Sequence, residues 1–161
     1  MKISELLGKG LLAKSASNKE EVQGSLAIAE RFVERAEGNK KIEYYDISLS
    51  LAYQSMFHAA RALLFKSGYK ERSHTALIGA LKEIYADNAE LQELLEVFDS
   101  YRKTRHAVQY SGAGCSEGDA TEAIGDAEKF LDLADTLLAK AEKNGCSEKT
   151  GNAPQNRTRN K

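Results

Sequence analysis

The sequence predicts an all-α fold, an antiparallel up-and-down helical bundle of five to six helices. Apolar residues recur at three- and four-residue steps through most of the chain, and no stretch alternates as a half-buried strand does. One proline and no tryptophan occur among the 161 residues, and helix-forming residues such as alanine, leucine, glutamate and lysine are common. Short links between the predicted helices favour antiparallel neighbours.

The apolar periodicity divides the chain into six predicted helices. The first keeps its apolar residues on one side despite Gly8 and Gly10. Ser17 or Asn18 can cap the second helix, which we expect to end at Gly38. The third is apolar on more than one side, so we place it at the centre of the bundle. The predicted helices cover residues 3–14, 18–38, 42–67, 73–87, 89–110 and 119–143.

The length of the chain suits one domain with a sizeable core. We assign residues 1–143 to a single domain and expect residues 144–161, with a formal charge of +3, to form a disordered basic tail. The remaining body is mildly acidic, which disfavours indiscriminate binding to nucleic acid. No apolar run reaches the roughly 20 residues that cross a bilayer, and the N-terminus lacks a signal segment. We therefore expect no membrane association and a cytoplasmic location.

The cysteines and histidines do not predict a metal site. Cys115 and Cys146 fall in a glycine-rich loop and in the tail. The three histidines have no His-x-x-x-His or His-Glu partner, so we expect no metal and no cofactor. We interpret His58 as a satisfied residue near the core and His74 as a residue of a helix start.

The fifth predicted helix carries an arginine where a leucine would be expected. At about 100° per residue, Arg105 shares one narrow face with Leu94, Phe98, Tyr101 and Val108. A guanidinium keeps its proton, so this position is costly unless a carboxylate, phosphate or carbonyl group meets it. The sequence therefore predicts an anion-binding site centred on Arg105.

Four residues of this helix are the candidate catalytic residues: Arg102, Arg105, His106 and Tyr110. They supply two permanent cations, an imidazole and a phenol. In metal-free RNA cleavage, a base takes the proton of the 2′-hydroxyl, cations stabilise the phosphorane and an acid protonates the leaving oxygen. Because one histidine cannot be base and acid in the same step, a cleft shared by two protomers fits this chemistry better than a monomer.

A structural interpretation of the same residues stays open. In it, Arg105 forms a buried ion pair with Asp46 or Asp99, and His106 is simply half exposed.

Three further residues are candidate ligand-binding residues. Arg61 belongs to the stretch 61–72, in which four cations face a single acid. Asp99 is the acid of the arginine helix, and Gln109 lies one turn after the central arginine. The alternative is that the cations of both stretches are ordinary solvated side chains.

Two stretches of the chain resemble the HEPN family. AYQSMFHAARALLFKSGYKERSHTALI, residues 52–78, precedes YRKTRHAVQY, residues 101–110, in the order found in small stand-alone HEPN proteins of prokaryotes. The similarity covers roughly residues 20–140. It implies a bundle of four or five helices that forms a homodimer, with the arginine helix lining the cleft between protomers.

The resemblance also implies a function. Many HEPN proteins are metal-independent ribonucleases or toxin components, often encoded beside a minimal nucleotidyltransferase that acts as partner and antitoxin. For this chain it implies endoribonucleolytic cleavage of RNA, with Tyr110 supporting the site or receiving a modification from the partner. The alternative is a non-catalytic binding or scaffold module that holds a nucleotide or the nucleotidyltransferase partner.

The arginine motif departs from the usual spacing of the family. The family arginine precedes its histidine by four to six intervening residues, whereas three residues separate Arg102 from His106. In a second alignment, Arg105 matches the family arginine, and Gln109 and Tyr110 match the Asp-Tyr ending of a branch without the catalytic histidine. The two alignments agree on an arginine site and differ on catalysis.

Overall fold

The computed structural model describes residues 2–147, and the side chains of residues 2–141. This part of the chain confirms the predicted all-α bundle and adds a small two-stranded sheet. The helices are α1 (Ile3–Gly8), α2 (Lys19–Lys41), α3 (Tyr45–Lys66), α4 (His74–Ile84), α5 (Ala89–Tyr110) and α6 (Glu117–Ser147), and the strands are β1 (Leu12–Lys14) and β2 (Tyr69–Glu71). Residues 148–161, most of the predicted disordered tail, lie outside the described residues.

The central position predicted for the third long helix is confirmed. α3 packs against α2, α4, α5 and α6, and buried residues cover most of its circumference. Three fully buried aromatic rings join α3, α5 and α6. The ring centroids of Tyr53 and Phe98 are 5.2 Å apart, and those of Phe98 and Phe130 are 5.9 Å apart. Aromatic pairs at these separations pack favourably, so α5 is held in a defined position against α3.

The prediction of a helix over residues 3–14 is wrong after Gly8. Gly10 has a φ of +66°, which ends the helical path and turns the chain. Leu12–Lys14 then pairs antiparallel with Tyr69–Glu71, the segment that links α3 to α4. Three residues are too few to show an alternating pattern, and the partner strand is remote in sequence, so the periodicity gave no sign of this sheet.

Side-chain caps account for the starts of α2 and α4. The side-chain oxygens of Asn18 and Ser73 accept hydrogen bonds from backbone N–H groups at 2.9 and 3.1 Å, as predicted. The predicted end of α2 at Gly38 is wrong, because the helix continues to Lys41. None of the described helices is both long enough and apolar enough to cross a membrane.

Gly68 generates a prediction about stability. It ends α3 with a φ of +83°, and a Cβ at this position would lie 3.3 Å from the backbone oxygen of Ser15. Gly68→Ala should therefore lower the free energy of unfolding by about 1–2 kcal/mol. Chemical denaturation followed by circular dichroism measures this change.

Gly38→Ala is the matched control. Gly38 lies within α2, and a Cβ there would meet nothing within 4 Å, so the free energy of unfolding should rise by about 0.5–1 kcal/mol. Equal stability of Gly68→Ala and the unmodified protein would contradict the strained turn.

Candidate functional site

The candidate site lies on the C-terminal half of α5, where the helix faces the start of α4. An open cleft of about 620 Å³, the α5 cleft, is lined by His74, Thr75, Arg102, Lys103, Arg105 and His106. Five of these six side chains can carry a positive charge and none is acidic, so the cleft suits an anion. In the part of the chain with described side chains, no group of three or more His, Cys, Asp or Glu is placed to hold a metal ion.

An aromatic ring and an amide hold Arg105. The guanidinium carbon lies 4.9 Å from the centroid of the Tyr53 ring, which is fully buried. Nη1 donates a hydrogen bond to Oε1 of Gln109 at 2.8 Å, and Nε2 of Gln109 donates to Oγ of Ser50 at 3.2 Å. Nε of Arg105 is buried without a hydrogen-bond partner. A cation–π contact of about 0.5–2 kcal/mol holds a guanidinium in place without neutralising it.

The alternative of a buried ion pair between Arg105 and Asp46 or Asp99 is wrong within residues 2–141. Oδ1 of Asp99 is bound by Nε of Arg102 at 2.8 Å, and Oδ2 is bound by Nζ of Lys103 at 3.0 Å. The hydrogen bond from Arg102 is the main reason that the pKa of Asp99 is lowered. Asp46 lines a smaller cleft of about 260 Å³ that Arg105 also lines, but makes no ion pair with it. Arg105 therefore keeps its full charge between the two clefts.

His106 and Tyr110 lie at the exposed end of the site. Their ring centroids are 4.9 Å apart, and Tyr110 is 73% exposed. His106 lines the larger cleft, whereas Tyr110 lies beyond it. The structure thus brings Arg102, Arg105 and His106 to one cleft and places Tyr110 at its outer edge.

Two of the three candidate ligand-binding residues contact the α5 cations, and Arg61 does not. Asp99 binds Arg102, and Gln109 binds the guanidinium of Arg105. Nε of Arg61 lies 2.7 Å from Oε1 of Glu71, at ion-pair distance but without the direction of a hydrogen bond. The Arg61 guanidinium also lies over two phenylalanine rings of α3.

The sequence did not reveal that His74 belongs to the cleft. Burial raises the pKa of Tyr53 to about 12, and its protonated phenol shares a hydrogen bond with Nδ1 of His74. Burial, followed by the charges of Arg105, Arg102 and Arg61, lowers the pKa of His74. A neutral imidazole that accepts at Nδ1 carries its proton on Nε2. With the Tyr53 phenol as the donor to Nδ1, His74 can donate a hydrogen bond from Nε2 to a bound anion.

The prediction that His58 is satisfied is wrong for one of its ring nitrogens. The His58 ring stacks on Phe32 of α2 at a centroid distance of 5.6 Å and meets the edge of Phe57 at 5.3 Å. Nδ1 is buried without a hydrogen-bond partner. Burial, with a smaller effect of Arg61, lowers the pKa of His58.

Removing the charge of Arg105 should raise the pKa of His74. The guanidinium disfavours the imidazolium form, so Arg105→Met should move this pKa upward, towards the ordinary value of 6.5. NMR titration of the histidine ring protons measures the change. Arg105→Lys keeps the charge and should leave the pKa of His74 low, and Lys140→Met, at the far end of α6, should not change it. An unchanged pKa in Arg105→Met would contradict the proximity of the two groups.

Comparison with known proteins identifies a family. A sequence model of the HEPN domain matches residues 22–137. A UPF0332 protein of Gloeobacter violaceus is 29% identical over 99 residues, which cover 60% of this chain and 79% of the relative. Two Methanocaldococcus jannaschii proteins, both named "Putative toxin", are 26% and 27% identical. Their alignments cover 77% and 78% of this chain, and 92% and 82% of the relatives. Because the match to the HEPN domain spans most of the helical bundle, the chain belongs to the HEPN family.

Proposed function

We propose that this HEPN protein is the toxin-like component of a pair and that it is a metal-independent endoribonuclease. The names of the two archaeal relatives support the toxin-like character. The observation that carries the RNA proposal is the charge of Arg105, which no carboxylate among the described residues neutralises and which borders two clefts. A phosphodiester is an anion that such a group binds well.

The residues of the larger cleft can divide the roles of metal-free RNA cleavage. Arg102 and Arg105 bind the scissile phosphate, and His74 donates from Nε2 to one of its oxygens. The 2′-oxygen attacks phosphorus and the bond to the 5′-oxygen breaks, which leaves a 2′,3′-cyclic phosphate and a 5′-hydroxyl. His106 acts as the base for the 2′-hydroxyl or as the acid for the leaving oxygen.

The reaction needs both a base and an acid, and one His106 cannot act as both in the same step. This requirement supports a homodimer. Among residues 2–141, four large apolar side chains are exposed between 45% and 73%: Ile42, Tyr44, Ile47 and Tyr110. Ile47 lines the smaller cleft beside Arg105, and Tyr110 follows Gln109 of the same cleft. Exposed apolar surface next to a site is typical of a protein interface. A second protomer on this surface would supply a second His106.

We also propose a minimal nucleotidyltransferase as the partner. This part of the proposal rests on the family resemblance and on the exposure of Tyr110. A phenol that is 73% exposed at the edge of the cleft is accessible to a partner enzyme that modifies it.

A non-catalytic binding module is the second candidate function. The ion pair of Arg102 with Asp99 favours it, because this arginine is partly engaged and the arginine–histidine spacing is short. The same cleft would then hold a nucleotide or order the partner interface.

Two substitutions test the catalytic proposal. Arg105→Gln should weaken both RNA binding and cleavage, the latter by about 10²-fold or more, because the stabilising charge is lost. His106→Ala should reduce cleavage by about 10²–10⁴-fold and leave binding nearly unchanged. Cleavage of a labelled RNA by the purified protein and fluorescence anisotropy measure the two quantities, with Lys140→Gln as the control. Unchanged cleavage by His106→Ala would refute the role of His106, and RNA binding by the unmodified protein without cleavage would favour the non-catalytic module.

Ile47→Asp tests the homodimer. A charge at this position should prevent burial of the exposed apolar surface, so the variant should be monomeric and its RNA cleavage should fall with the dimer. Analytical ultracentrifugation measures the oligomeric state. Lys140→Asp introduces a carboxylate at the far end of α6 and should remain dimeric. A dimeric Ile47→Asp protein would contradict this interface.

A further inference from the structure

A further basic cleft, the α2–α3 cleft, lies between α2 and α3. Its volume is about 300 Å³, and its lining residues are Ile28, Arg31, Phe32, Arg35 and His58. Arg31 and Arg35 lie one helical turn apart, and neither forms an ion pair within the described part of the chain. No acidic side chain lines the cleft. Because residues 1–143 are acidic as a whole, this concentration of unpaired positive charge is local.

His58 gives this cleft a polar and an aromatic feature. Its Nδ1 is buried without a hydrogen-bond partner, and a buried polar atom in this state usually has a ligand or water that satisfies it. The rings of His58 and Phe32 are stacked with an interplanar angle of 24°. Burial keeps the imidazole neutral near pH 7 because it lowers the pKa. Guanidinium groups beside flat, uncharged rings are the combination that binds single-stranded nucleic acid.

The α2–α3 cleft lies close to the α5 cleft. Phe57 contacts the ring of His58 at 5.3 Å and the ring of His74 at 4.2 Å, so the two imidazoles are less than 10 Å apart. The charge of Arg61 contributes to the lowered pKa of both histidines, which is consistent with a cation near both rings.

Resting on the proposed function, we propose that the α2–α3 cleft binds a second part of the same single-stranded RNA whose phosphate lies at Arg105. Arg31 and Arg35 contact the backbone of this second part, and the His58–Phe32 pair meets a base. The substrate class is thereby a single strand long enough to reach both clefts, since a duplex would not present its bases to stacked side chains.

Binding of oligonucleotides of two lengths tests the proposed role of the α2–α3 cleft. The probes are a dinucleotide and an octanucleotide of 2′-O-methyl uridine, which lack the attacking hydroxyl and remain uncleaved. The unmodified protein should bind the octanucleotide at least about 10-fold more tightly than the dinucleotide. In Arg31→Gln/Arg35→Gln this gain should be lost while dinucleotide binding stays unchanged. The slope of log affinity against log salt should become shallower by roughly 1.4, at about 0.7 for each lost phosphate contact of a single strand.

Lys41→Gln/Lys140→Gln is the control, because it removes the same charge from exposed positions outside the α5 and α2–α3 clefts. This variant should still bind the octanucleotide more tightly than the dinucleotide. Unchanged octanucleotide affinity in Arg31→Gln/Arg35→Gln, or an equal loss in the control, would overturn the proposal. Arg105→Gln separates this failure from that of the proposed function. Unchanged dinucleotide binding in Arg105→Gln would refute the α5 site, whereas dinucleotide binding that depends on Arg105, without any octanucleotide gain, would refute only the α2–α3 cleft.

Discussion

The guanidinium of Arg105 rests on the face of a buried tyrosine, and the geometry of the candidate site depends on this contact. Tyr53 is itself packed against Phe98 of α5, so the ring that holds the cation is fixed by the contact between α3 and α5. A carboxylate in the same position would have held the arginine and also neutralised it. The π-face holds it and leaves its charge available to a ligand.

The same tyrosine is hydrogen-bonded to His74. Its hydroxyl shares a hydrogen bond with Nδ1, and in the tautomer in which the hydroxyl donates, the neutral imidazole has its proton on Nε2. One buried side chain of α3 therefore contacts a cation on α5 and an imidazole on α4. The site is built from three helices although its cations are nearly consecutive in sequence, and its precision depends on core packing more than on surface ion pairs.

The sequence was sufficient for features that local rules determine. The helix caps at Asn18 and Ser73, the central position of α3 and the placement of Arg105 near the packed face of α5 all follow from residue type and helical spacing. It was insufficient for contacts between residues that are far apart in the sequence. The pairing of Leu12–Lys14 with Tyr69–Glu71 and the hydrogen bond between Tyr53 and His74 join segments that share no periodic pattern. The partner of Arg105 was ambiguous for the same reason, because helical spacing places acids and aromatic rings equally well within its reach.

Asp99 is a single acidic side chain that binds two of the cations of the α5 cleft, so it holds both in place and cancels only one positive charge. Its two oxygens hold Arg102 and Lys103 separately, and these contacts, chiefly the hydrogen bond from Arg102, lower its pKa. One negative charge thus orients two cations, and Arg105 is oriented without any. Side chains that are already held in place lose less conformational entropy when a ligand binds. The cleft consequently combines a net positive charge with preorganised donors, which are two properties that favour the binding of an anion.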